Sequence, residues 1–127
     1  MRASYIEIAD GEVLKWNINI VFESTCWSRT HAHCDGTRRV CKWKRVDSYR
    51  SLFTLLHEIG HIEANTPGMK RCEEESTATL WAIKRMREIG LPIKRKVTAK
   101  YKDYIRMTYE RGIRRGLRKR VKTALYM

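Results

Sequence analysis

No stretch of the chain approaches the ~20 consecutive apolar residues of a membrane span, which argues against a membrane-embedded protein. Residues 1–25 lack the apolar block and small-residue cleavage site of a secretory signal, so the expectation is a soluble, cytoplasmic protein. Cysteine is scarce: four thiols in 127 residues are too few for a disulfide-built scaffold, and a reducing compartment keeps them reduced. No internal repeat or low-complexity linker divides the chain, whose length has room for one domain. Acidic residues are also few, with 14 Asp and Glu against 27 Lys and Arg. The resulting +13 asks for a polyanionic or membrane-surface partner.

What is present is enough for a core: 43% of residues are apolar and 32% charged, which excludes a wholly disordered chain. The basic charge is unevenly placed. Residues 94–127 carry 13 Lys and Arg against Asp103 and Glu110, a net of +11, which leaves +2 for residues 1–93. A single domain, 1–127, therefore reads as a nearly neutral body (1–93) with a basic C-terminal helical extension (94–127).

Leu14, Trp16, Ile18, Ile20 and Phe22 recur at period two, alternating with Lys15, Asn17 and Asn19, which predicts a half-buried strand. Asp35-Gly36 suits a tight type I′ turn between arms at 29–34 and 37–46, with Cys41 and Trp43 on one face. Asp47-Ser48 is a helix N-cap signal, and the three- and four-residue spacing from Leu52 to Ile62 predicts a largely buried helix over 49–64. Thr66-Pro67-Gly68 breaks it. A second helix is expected from Arg71 to Ile89, ended by Gly90 and Pro92, and a basic amphipathic helix from Val97 to Leu125. Gly112 and Gly116 within the last would let another backbone approach closely. The fold class expected is α+β: a short twisted sheet packed on the central helix, of small zincin-like metalloprotease type.

His57-Glu58-Ile59-Gly60-His61 fits H-E-x-x-H in the middle of the predicted helix. Residues four apart share a helix face, so two imidazoles can close on one Zn²⁺. Glu58 lies beside the metal and not on it, placed to take a proton from metal-bound water as general base. Solvent exposure of all three is disfavoured by Leu55, Leu56, Ile59 and Ile62, which surround them. A catalytic zinc needs a third ligand, and no histidine follows His61. A carboxylate, a cysteine, His31 or His33 could serve. Glu73-Glu74-Glu75 opens the next helix, and Glu75 shares a stripe with Ala78, Thr79, Ala82 and Met86, whereas Glu73 and Glu74 point off it.

Phe53 to His61, followed by Glu75-Ser76-Thr77-Ala78-Thr79-Leu80-Trp81-Ala82, resembles the ImmA/IrrE-type zinc metallopeptidases of the gluzincin group. The resemblance spans roughly residues 50–90. It implies His57, His61 and Glu75 as zinc ligands and Glu58 as the base, with Glu74 left open as the alternative third ligand. The family commonly places an acidic or amide residue four positions after that glutamate, and often an acidic one two after, where this chain has Thr79 and Thr77. It also uses an edge strand beside the active helix to hold substrate, which maps to residues 29–46, and its targets are often transcriptional repressors.

His31, His33, Tyr101 and Tyr104 are candidate oxyanion donors by residue type. Cys26, His31, His33, Cys34 and Cys41 could form a second, structural metal site, though their spacing is not of the C-x-x-C kind and buried thiols are the plainer reading. Cys72, next to the glutamates, is expected to be a packing residue. Arg111, Arg114, Arg115, Arg118, Lys119 and Lys122 form the face expected to contact nucleic acid or another polyanion. A membrane surface fits less well, because the apolar stripe of that helix holds Gly and Tyr. The functional expectation is zinc-dependent peptide-bond hydrolysis in an intracellular protein; its rival is a nucleic-acid-binding module with a structural or vestigial zinc site.

Overall fold

The computed structural model describes residues 4–22, 33–35, 40–43 and 46–115, with side chains described outside 20–45. Its first element is a helix, α1 (Tyr5–Lys15), capped by Ser4, whose Oγ accepts from Glu7 N at 3.2 Å. Ala9 and Glu12 are buried on one face, with Tyr5, Ile8, Val13 and Trp16 packed around them. Asn17, at φ 53°, turns the chain out of the helix, a left-handed conformation Asn tolerates better than most residues.

Three short strands follow: β1 (Asn19–Phe22), β2 (His33–Asp35) and β3 (Val40–Trp43), in the order β1-β3-β2. β1 runs parallel to β3, and β2 pairs antiparallel with it, Cys34 opposite Cys41 and Asp35 opposite Val40.

The second helix, α2 (Tyr49–Ala64), opens on a Ser48–Ser51 capping box. It buries Leu52, Phe53, Leu55, Leu56 and Ile59, none more than 1% exposed. α3 (Arg71–Ile89) ends at Gly90, whose φ of 94° lets Gly90 N and Leu91 N both donate to Met86 O. α4 (Arg95–Arg114) follows after a short link pinned to α2: Tyr49 Oη donates to Pro92 O at 2.6 Å and accepts from Lys94 N at 3.1 Å.

The described core is built helix on helix. α2 contributes most of it, α3 adds Ala78, Ala82 and Met86, α4 adds Val97 and Ile105, and Ile18 and Val46 close the edges. α2 and α3 approach closely at Gly60, where a Cβ would stand 2.7 Å from Ala78 O. Glu12 of α1 clamps α3 through a two-pronged ion pair with Arg85 (Oε2 to Nη2 2.7 Å) and also accepts from Trp16 Nε1.

The α+β expectation is corrected by these findings. The described residues form a four-helix, nearly all-helical domain, with helices of 11, 16, 19 and 20 residues against strand segments of three or four. The predicted strand over 14–22 is found only at Asn19–Phe22, because Leu14 and Lys15 end α1 and Trp16 caps it. Leu14 faces solvent at 80% exposure, so the alternation there records no buried face. The tight turn at Asp35-Gly36 is also corrected: Asp35 is itself paired with Val40, and the connection is 36–39. Among the described residues no helix is long and apolar enough to cross a membrane. The expected continuation of the last helix beyond 115 lies outside the described residues.

Candidate metal centre

α2 carries His57 and His61 one turn apart, and α3 brings Glu75 to meet them. His57 Nε2 lies 2.9 Å from Glu75 Oε2, His61 Nε2 3.3 Å from the same oxygen, and the two Nε2 atoms 3.1 Å from each other. Two donors each 2.0–2.1 Å from a tetrahedral zinc stand about 3.3 Å apart. Three such atoms therefore converge at close to the spacing one ion imposes, and they form a group that could hold a metal. Glu75 is the glutamate brought into contact with the histidines. Glu74 is no member of that group.

The hydrogen bonds around the cluster favour one tautomer of His57. Thr79 Oγ1 donates to the Glu75 carbonyl at 2.8 Å, which uses its only proton. Its 3.0 Å contact with His57 Nδ1 must therefore have Nδ1–H as donor. A neutral His57 so protonated turns the Nε2 lone pair towards a carboxylate oxygen 2.9 Å away, which is repulsive unless a cation lies between them. A second proton on the ring is opposed by burial, which pushes the His57 pKa down against the pull of Glu75. A metal ion meets the need without it. Burial alone would raise Glu75, but its contacts with His57 and His61 outweigh it and hold the carboxyl at about 2, ionised as a ligand must be.

His61 has an outer partner too: the Asn65 amide meets its Nδ1 at 2.7 Å, while Asn65 Oδ1 is buried without a partner. Rotating that amide by half a turn places Oδ1 on a protonated Nδ1 and leaves His61 Nε2 free to ligate. His57 is sealed, its side chain 4% exposed, whereas His61 and Glu75 are 14% and 12% exposed. The cluster thus has a closed back and a side reachable from solvent.

Glu58 is buried at 7% exposure. Desolvation, then the charge of Glu75, push its carboxyl well above the usual range, and Arg71 counters them. Tyr101 lays its ring against His57, centroids 4.7 Å apart, and its hydroxyl donates to Thr54 Oγ1 at 2.8 Å. That proton is therefore engaged. Tyr104, one turn along α4, accepts from Arg71 Nη2 at 3.2 Å.

Comparison with known proteins found no matching family model, no matching curated protein and no matching solved structure. The resemblance to ImmA/IrrE-type metallopeptidases thus rests on residues 53–61 and 75–82 of this chain.

Of the remaining sequence candidates, His31 and Cys26 lie outside the described residues. His33, Cys34 and Cys41 are placed in strands by their backbone only, and Cys34 and Cys41 are register partners. Cys72 is free, 2% exposed, and no member of the metal-holding group. Arg111, Arg114 and Arg115 are exposed at the end of α4, while Arg118, Lys119 and Lys122 lie outside the described residues. Sequence reasoning missed Arg71 and Asn65. Both could have been found from helical spacing, since Arg71 precedes Glu75 by four and Asn65 follows His61 by four.

Proposed function

We propose that this chain is a zinc-dependent metallopeptidase of ImmA/IrrE type, hydrolysing peptide bonds in an intracellular protein. The observation that carries the reading is the convergence of His57 Nε2, His61 Nε2 and Glu75 Oε2 on one point, with Thr79 fixing the tautomer that turns a lone pair inward. A zinc ion held there would supply a Lewis acid for the scissile carbonyl and lower the pKa of water.

The protein's own groups do the rest. Glu58, one residue along α2 from His57, takes the proton of the attacking water and delivers it to the amine nitrogen as the C–N bond breaks. Burial, then the charge of Glu75, raise its affinity for a proton, as suits a group that takes one up. Tyr104 donates to the carbonyl oxygen as negative charge develops, because its proton has no acceptor among the described residues and Arg71 supports it from behind.

Metal analysis of the purified protein is expected to give close to one zinc per chain, lost in His61→Ala. Glu58→Gln should keep the zinc and abolish cleavage of the substrate. Full cleavage by Glu58→Gln would refute the mechanism.

A further inference from the structure

Beside the metal centre lies an open cavity of about 360 Å³ between the start of α3 and the second half of α4. Lys70 and Arg71 line one wall, Arg111 and Arg115 the other, with Tyr104 at one end. Four cations thus face one concavity, and among the described residues no carboxylate lines it. Gly112 lies between the two α4 arginines without a side chain to fill the space.

Two helical registers tie this cavity to the reaction site. Arg71 precedes Glu75 by four residues, so their Cα atoms are about 6 Å apart on one face of α3. On α4, Tyr101 packs on His57, and Tyr104, Thr108, Arg111 and Arg115 continue the same stripe at steps of three and four. The cavity therefore starts about one helical turn from the metal ligands and runs away from them. An extended peptide advances about 3.3 Å per residue, so a side chain within about three residues of the scissile bond reaches it.

We propose that this cavity is a specificity subsite that takes an anionic side chain, Asp or Glu, of the peptide substrate. The inference rests on the metallopeptidase reading and extends it to the class of substrate. Convergence favours a single carboxylate over a nucleic-acid strand, whose phosphates are met by cations spread along a groove. Arginine forks match a carboxylate in two-pronged geometry, and neither Arg111 nor Arg115 is tied up in an ion pair among the described residues.

The test compares peptides identical except for Glu against Gln at each position flanking the cleaved bond. The full zinc-loaded chain is expected to show at least a tenfold higher kcat/KM for Glu at one position. Arg111→Glu/Arg115→Glu should keep its zinc and its far-ultraviolet circular dichroism and bring that ratio to about one. Equal rates for Glu and Gln peptides in the wild type, or a preference that survives in the double variant, would overturn the proposal. So would tight binding of a single-stranded oligonucleotide that the double variant loses, with no Glu preference, since the cavity would then serve nucleic acid.

Equilibrium binding of the same fluorescent peptides separates the two readings. If no peptide is cut but the Glu peptide still binds at least tenfold tighter than the Gln peptide, and the double variant loses this, the subsite stands and hydrolysis falls.

Discussion

Gly60→Ala probes the link between helix packing and metal binding more directly than any ligand substitution. The residue lies between Glu58 and His61 in the motif, where α2 touches α3. A Cβ there would stand 2.7 Å from Ala78 O, 3.1 Å from Ala78 Cα and 3.2 Å from Trp81 Cβ. Ordinary contact begins at 3.4 Å, so the carbonyl must recede by about 0.7 Å. It is a helix backbone atom and cannot swing aside, so α3 moves as a body. Ala78 is three residues from Glu75, and the shift therefore reaches a carboxylate whose oxygen sits 2.9 and 3.3 Å from the two ring nitrogens. Metal–ligand distances tolerate only about 0.2 Å.

Two opposing effects set the stability change. Alanine gains about 1 kcal/mol of helix propensity over glycine, while overpacking costs about 1–3 kcal/mol. The net is a loss of about 0–2 kcal/mol, a fall of a few degrees in melting temperature. Zinc affinity should drop much further, by about 10–100-fold, as it does when a ligand is held off its position. Gly11→Ala is the control: it lies on the exposed side of α1 with nothing within 4 Å of the added Cβ. That variant should gain about 0.5–1 kcal/mol and keep its zinc affinity. Zinc competition against a chromogenic chelator and thermal denaturation measure both. If Gly60→Ala bound zinc as tightly as the wild type and melted as high as Gly11→Ala, the close approach of α2 and α3 would not be what positions Glu75.

Thr79→Val strands the buried His57 Nδ1–H, and should cost about 1–3 kcal/mol and weaken zinc binding about 10–100-fold. Thr79→Ser should restore both, and unchanged affinity in the valine variant would refute the tautomer argument. Glu12→Ala removes the partner of Arg85 and the acceptor of Trp16 Nε1, and should cost about 2–4 kcal/mol in urea denaturation. The joint Glu12→Leu/Arg85→Met replacement should recover most of that; an additive loss would mean the pair itself is strongly stabilising. Stripping metal with a chelator from protein held at 100 times its zinc dissociation constant should remove about 2.7 kcal/mol. A melting curve indifferent to the chelator would refute zinc binding to the folded chain.

How far the sequence was legible depended on whether one period acted alone. α2 and α3 were readable because apolar spacing, an N-cap at Ser48 and breakers at Pro67, Gly68 and Gly90 all agreed. The same stripe that predicts α3 carries Glu75 towards the histidines, because Ala78, Ala82 and Met86 are buried against α2. α1 was missed because Trp16 and Ile18 belong to a helix end and a turn, yet fall by chance on a period of two with Ile20 and Phe22. The helix signal was nonetheless present in Ser4-x-x-Glu7 and in Tyr5, Ile8, Ala9, Glu12 and Val13 at helical spacing. Its buried stripe was hard to recognise because it includes a charged residue, Glu12, whose partner Arg85 lies 73 positions away. No local pattern encodes such a pairing.

Charge is where chain order and three-dimensional placement diverge most. Counted by segment, residues 94–127 hold +11 and the body only +2, which makes the basic tail look like a separate surface. In the fold, Arg111 and Arg115 from that segment line the same cavity as Lys70 and Arg71 from the body. The field so produced is concentrated in one concavity within about a helical turn of Glu75, where a solvated helix face would spread it. The body stays near neutral overall because its acidic residues offset its basic ones, among them Glu58 and Glu75 in the site itself. On the proposed reading, a cleft with Glu58 and Glu75 at one end and four cations beside them would polarise a substrate along its length. An acidic residue would settle at the cationic end and leave the neighbouring peptide bond over His57, His61 and Glu75.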